Sequence, residues 1–183
     1  MTSSRSRASP PPTSLLARRA LARRQRAALR FKPTRVKLLL VGKTPPEKLA
    51  RYFYFPEVSE HDWLFRYVSK VMLGRNPGRA NKVESLLEFQ RRGAFFIDLK
   101  PDPLDNRTLA SCAPSLLRRC QALRPERIIL IKAAVYDSAY DALVRSELPV
   151  HDARVPFPSS GRQREFETEF RRALRKRPAA RRA

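Results

Sequence analysis

VKLLLVGKTPP, residues 36–46, is a run of apolar, strand-forming side chains that breaks at a glycine and two prolines. Five of the six residues from Val36 to Val41 are apolar and do not alternate with polar ones, the pattern of a strand buried on both faces of a parallel sheet. Gly42 ends the run. Pro45 and Pro46 stop the chain from continuing as strand or turning into helix at Thr44, so a stiff loop projects from the strand's carboxyl end, where open α/β sheets bind ligands. The letters Gly42-Lys43-Thr44 suggest a phosphate-binding P-loop, but that motif needs a glycine where this chain has Lys37 and a helix where it has prolines.

Working outward, AFFID (94–98) reads as a second buried strand, RIILIK (127–132) as a third, and a short fourth is expected at about Ala153 to Val155. Between them the 3.6-residue spacing of apolar positions predicts helices at about Asp62–Met72, Ala80–Arg92, Thr108–Leu123 and Tyr136–Ser146, with one more after Ser160. The first of these is expected to bury Trp63, Leu64, Tyr67, Val68 and Val71, the second Val83, Leu86, Leu87 and Phe89. Ser59 to Asp62 and Ser160 to Gln163 have capping-box spacing. This alternation predicts an α/β fold, a three-layer αβα sandwich around a four-stranded parallel sheet. Proline-stiffened loops after strands one, two and four (Gly42–Pro46, Lys100–Pro103, Pro156–Gly161) would meet on one rim.

Charge sets the outer frame. The 183 residues carry a net charge of +22, unevenly spread: residues 1–35 hold ten Lys or Arg and no acid, and 171–183 hold seven and no acid. Basic arms of this kind suit a polyanion, in contacts that weaken steeply with salt; solvated, compositionally biased termini are the other reading. We expect a basic arm over 1–33, disordered at first and helical over about Ser14–Arg30, a domain over 34–177 and a basic tail over 178–183. No apolar run approaches the ~20 residues of a membrane span, so no membrane is expected, and the reading is a cytoplasmic, bacterial-type monomer near the nucleoid. The Arg- and Ser-rich start also has the composition of a mitochondrial transit peptide, which keeps the mitochondrial matrix as an alternative. Cys112 and Cys120 are too few for a disulfide scaffold or a four-cysteine metal site.

Four aromatics, Tyr52 to Phe55, follow Arg51 directly. They are either packing or, in part, faces on which a nucleobase could stack. Asp98 ends the second strand at the rim; it either caps a loop N–H or meets a ligand. The loop before Gln163 sits at a helix N-terminus, a position that favours an anion.

The order LLLVGKTPP, the aromatic cluster, FFIDLKPDPLDNRT, CAPSLLRRCQALRPERIILIKA and VPFPSSGRQ resembles the uracil-DNA glycosylase superfamily, most closely its thermophile-type iron–sulfur branch, over about residues 36–175. The resemblance implies a four-stranded parallel sheet between helices and a base flipped out of DNA into a pocket at the strands' carboxyl ends; the basic arms would suit DNA or RNA. It also implies roles. Thr44 stands where members carry the Asp or Asn that positions water, with Gly42 and Pro45 beside it. Phe53 or Phe55 would stack on the base, Asp98 stands where an Asn reads its edge, and Phe157 stands where a His stabilises the departing base. Ser159 and Ser160 would receive that base, and Arg162 and Arg164 would contact phosphate.

The departures from the family pattern have chemical consequences. A threonine hydroxyl cannot act as a general base at neutral pH. Phe157 cannot donate a hydrogen bond, a loss worth roughly a hundred- to a thousand-fold in such sites. Cys112 matches one cluster ligand, but Pro101 or Asp102 stands at another and no cysteine precedes it, so neither cofactor nor metal is expected. Two functions follow as expectations: hydrolysis of an N-glycosidic bond in damaged DNA, with Thr44, Asp98 and Ser159 as the catalytic group, or nucleic-acid binding without turnover on the same fold.

Overall fold

The computed structural model describes residues 15–56, 62–75, 77, 81–159 and 161–175. β1 (Leu38–Gly42) is buried at all five positions, as an apolar run without alternation requires. It pairs in parallel with β2 (Ala94–Asp98) on one side and β3 (Ile128–Leu130) on the other, giving the order β2-β1-β3. The register sets Leu40 beside Phe96 and Ile129, and Gly42 beside Asp98.

Six helices complete the described chain: α1 (Leu15–Arg30), α2 (Trp63–Leu73), α3 (Lys82–Arg91), α4 (Leu109–Leu123), α5 (Ala133–Arg145) and α6 (Gln163–Arg175). The β1–β2 and β2–β3 connections cross the sheet in opposite directions, so crossovers of one hand lay their helices on opposite faces. Val68 and Met72 of α2 and Phe89 of α3 meet Leu40 and Phe96 on one face. On the other, Leu123 of α4 lies beside Phe95 and Ile97, and α5 packs on α4 and β3. α6 packs on α2. The result is an α/β molecule with an αβα layering.

The sheet has three strands where four were expected. The segment expected to be the fourth touches β3 through two isolated parallel bridges, Ile128 to Val150 and Ile131 to Val155. β3 advances three residues between them and the neighbour five, so two residues must bulge out of the ladder. The bulge turns His151 into the core, fully buried, where its Nδ1 accepts the N–H of Ala153 at 2.9 Å.

α1 is docked on the domain, although the sequence suggested an arm ending at residue 33. Ala17 and Arg24 are buried, and Phe31 stacks on Tyr54 at 6.1 Å between ring centroids. Helix and aromatic segment together close the free edge of β2. The Tyr54 hydroxyl donates to the carbonyl of Phe96 at 3.0 Å and accepts its N–H at 2.6 Å, satisfying both groups on an edge that would otherwise recruit another strand. Val68, Leu86 and Phe89 are buried as expected and Leu64, Tyr67, Val71 and Val83 pack against the core; Phe65 and Ser69 are buried beside them in α2, and Leu87 of α3 is exposed. The Ser59–His61 part of the first capping box and the tail 178–183 lie outside the described residues.

Candidate functional site

The carboxyl end of β1 carries the one glycine position in the sheet. A Cβ on Gly42 would stand 2.6 Å from Phe96 Cζ and 3.2 Å from Asp98 Oδ1, so only glycine lets these two side chains reach inward over the strand end. Beyond them lies a hollow of about 110 Å³. Its lining comes from Thr44, Pro45 and Pro46 after β1, Phe53 of the aromatic segment, Phe96 and Asp98 of β2, Trp63, Leu64 and Phe65 of α2, and Phe157 of the last loop, with Arg51, Tyr52 and Asp62 also in contact with it. This is the room of one ring, well under the roughly 300–1,000 Å³ of pockets for drug-sized ligands.

Five residues singled out from the sequence thus share one cavity: Thr44, Pro45, Phe53, Asp98 and Phe157. Others do not. Phe55 is buried outside it, edge-on to Tyr52 at 5.4 Å, with the Arg23 guanidinium 4.4 Å over its face. Ser159 is exposed and does not line it; its N–H donates to Phe157 O at 2.8 Å and its carbonyl accepts from Arg162 N–H at 3.0 Å. Ser160 lies outside the described residues. Arg162 and Arg164 are exposed at the start of α6, Arg162 donating from Nε and Nη2 to the two carboxylate oxygens of Glu165, both at 2.8 Å.

Phe53 is committed to packing on several sides: it stacks on Phe96 at 4.5 Å and meets Tyr54 and Phe65 edge-on. Phe157, half-buried with the Lys132 ammonium 5.7 Å over its ring, is the better-placed stacking face.

Two polar groups stand out in this apolar setting. Thr44 Oγ1 is buried with no hydrogen-bond partner among the described residues. The carboxyl oxygens of Asp98 take no hydrogen bond there either. Desolvation raises the Asp98 pKa to about 7, against the opposing pull of the Arg119 and Arg24 charges. Arg119 does not pair with the carboxyl group; its Nη1 and Nη2 donate to the backbone carbonyls of Asp98 and Leu99, both at 2.8 Å, and so hold the end of β2 in place.

Two lysines flank residues that line the hollow: Lys132 stands over Phe157, and Lys43 directly precedes Thr44. Lys132, after β3, is held below the usual ammonium range first by burial and then by the charge of Lys43, which follows β1. Arg51 reaches Asp62 at 3.2 Å, and the fully buried Lys82 approaches Asp62 at 3.8 Å while donating to the carbonyl of Tyr52 at 3.3 Å. Burial pushes Lys82 down to about 8, with Asp62 opposing.

Lys43, Lys132, Trp63 and Arg51 were not among the residues chosen from sequence. Lys43 and Lys132 carried a usable signal: each is the lysine that closes a buried apolar run, which places it on the ligand-binding rim of a parallel sheet. Among the described residues, no group of three or more His, Cys, Asp or Glu side chains is arranged to hold a metal, and no helix is long and apolar enough to cross a membrane. No protein-family model matches the chain, and no curated protein matches it.

Proposed function

We propose that this protein binds nucleic acid and seats one unstacked, pyrimidine-sized base in the hollow at the carboxyl ends of β1 and β2, on the uracil-DNA glycosylase plan. The observation that carries this reading is the pairing of Thr44 Oγ1 and the Asp98 carboxyl, two polar groups without partners among the described residues, over one ring-sized apolar cavity. Buried polar groups are normally satisfied, and exceptions mark functional sites.

Each part has a role in that reading. Phe157 stacks on the base, Thr44 exchanges one hydrogen bond with it, and Asp98 reads its edge. Ionised, Asp98 accepts two donors; protonated, it offers one donor and one acceptor, matching the carbonyl and N–H of a uracil edge. Lys43 and Lys132, beside residues that line the hollow, meet the flanking phosphates, and the net charge of +22 supplies the attraction for the polymer.

Binding is favoured over hydrolysis by the position of the last loop. Ser159 lies outside the cavity and Phe157 fills the side from which a departing base would receive a hydrogen bond. If hydrolysis does occur, Asp98 is the group able to accept a proton from water near neutral pH, with Thr44 orienting that water.

Trp63, the sole tryptophan of the chain, lines the hollow and reports on it directly. Titration of the full-length protein with an oligonucleotide bearing one bulged uracil is expected to change Trp63 fluorescence, and the same strand with an abasic analogue at that position to bind without the change. Equal responses to the two strands would defeat the base-seating reading. Alkali-labile breaks at the uracil after incubation would restore the hydrolytic alternative.

A further inference from the structure

A second hollow, of about 400 Å³, runs along the free edge of β2 between α1 and α4. Leu21, Ala28 and Leu29 of α1, Leu123 of α4, and Phe95 and Ile97 of β2 make it mostly apolar. Its charge is lopsided: Arg24, Lys32 and Arg119 face it against one carboxyl group, Asp98.

Two donors are left without acceptors at this edge. Arg24 is 3% exposed, and one arm of its guanidinium is fixed by donating to Pro46 O at 2.5 Å and Lys48 O at 3.4 Å. Its Nε is buried with no partner among the described residues. The second donor follows from register. Leu38 N–H donates to Gly93 O and Leu99 N–H to Gly42 O, so the odd-numbered residues of this stretch face β1, and the N–H groups of Ala94, Phe96 and Asp98 point away from it. Tyr54 consumes both groups of Phe96, so an added peptide strand could not continue the ladder, which argues for a compact occupant. Asp98 N–H remains, and Asp98 lines the same hollow as Arg24.

We propose that this hollow binds a small apolar carboxylate, one ring or short chain ending in a single carboxylate group, with its head on Arg24 Nε and Asp98 N–H and its body between α1 and α4. The match is one of charge and of donors: a buried guanidinium with a free N–H is satisfied by an anionic acceptor, and charge-assisted bonds of this kind are the strong ones. Arg24 and Arg119 offset the repulsion of the Asp98 carboxyl, as their charges already do in the free protein. The site stands independently of the base-seating hollow, although Tyr52, Phe96 and Asp98 form a wall common to both.

The test is calorimetric titration of the full-length protein with 4-phenylbutyrate, compared with 4-phenylbutanol, which has the same body and no charge. The carboxylate is expected to bind at least about tenfold more tightly than the alcohol. Arg24→Gln should remove that advantage, and Ala28→Trp, which fills the hollow, should abolish binding of both probes. If Arg24→Gln does not fold, the acid–alcohol comparison and Ala28→Trp decide the matter. Equal affinities for the two probes, carboxylate binding unchanged in Ala28→Trp, or no heat at about 1 mM carboxylate would overturn the proposal.

Discussion

At the amino ends of the strands, polar groups are paired with one another; at the carboxyl ends, they are left facing a cavity. Arg35 meets Glu126 at 2.7 Å, Gly93 O takes the N–H groups of both Lys37 and Leu38, and Arg127 caps the end of α6 by donating to Leu174 O at 2.5 Å. Across the sheet, Thr44 Oγ1 and the Asp98 carboxyl have no partner among the described residues, and burial, then the charge of Lys43, lower the pKa of Lys132. Both ends belong to the same three strands and share one core, so the contrast does not come from packing. Stability alone would favour apolar or paired groups at the carboxyl end as well; these two are the groups that a ligand in the hollow would satisfy.

That contrast makes opposite predictions for the two ends. The largest effect is expected at Asp98. Its native pKa of about 7 lies above the ordinary value of 3.8, so between these pH values the folded state holds a proton that the unfolded state has lost. Stability therefore falls as pH rises through this window, and the full cost is present above pH 7. Asp98→Asn should raise unfolding stability at pH 8 by up to about 4 kcal/mol, since each tenfold in proton affinity is worth about 1.4 kcal/mol, and by far less near pH 4. Urea denaturation at the two pH values measures this. A gain independent of pH would mean that the carboxyl group is not the strained group.

At the other end the sign reverses. Arg127→Met should destabilise the protein by about 1.5–3 kcal/mol, the worth of a charged hydrogen bond to the terminal carbonyls of a helix, with little dependence on pH between 5 and 8. If Arg127→Met were neutral, the amino end would be no better satisfied than the carboxyl end and the comparison would collapse.

Gly42→Ala acts at the carboxyl end of β1. The added methyl would press on the Phe96 ring at 2.6 Å and on Asp98 Oδ1 at 3.2 Å. We expect a loss of about 1–3 kcal/mol from overpacking, together with loss of the Trp63 response to a bulged base. Retention of that response would place the base elsewhere.

How far the sequence carried depended on whether a signal was local. β1 and β2 were legible because an unbroken apolar run has few other uses, and the start of α4 because Thr108 accepts from Ser111 N–H as a cap does. The missing fourth strand was not, since the two-residue excess between Val150 and Val155 is a property of its pairing with β3. Nor was the docking of α1: six arginines on one helix read as solvated, and nothing local marks Arg24 as the buried one. Thr44, Asp98 and Phe157 reach one cavity because they lie where strands end and proline loops begin. Phe55 and Ser159 were assigned by nearness in sequence to residues that do face the cavity. Trp63 and Arg51 arrive there through tertiary packing alone.

The smallest expected effect is also the most discriminating. Thr44→Val keeps the shape of the side chain and removes only the hydroxyl. Burying a hydroxyl without a partner costs about 1–3 kcal/mol relative to a satisfied one, so if Thr44 Oγ1 is as isolated in solution as in this fold, the valine variant should be more stable by about 1 kcal/mol. The same change should weaken the response to a bulged uracil by roughly 2–10-fold, the worth of one neutral hydrogen bond. Stability and binding then move in opposite directions, which a purely structural threonine cannot produce: a hydroxyl that held the loop through a hidden partner would lose both together. Thermal denaturation and Trp63 titration of the same sample read the two quantities, and a variant that is less stable and binds less well would assign Thr44 to the scaffold instead of the site.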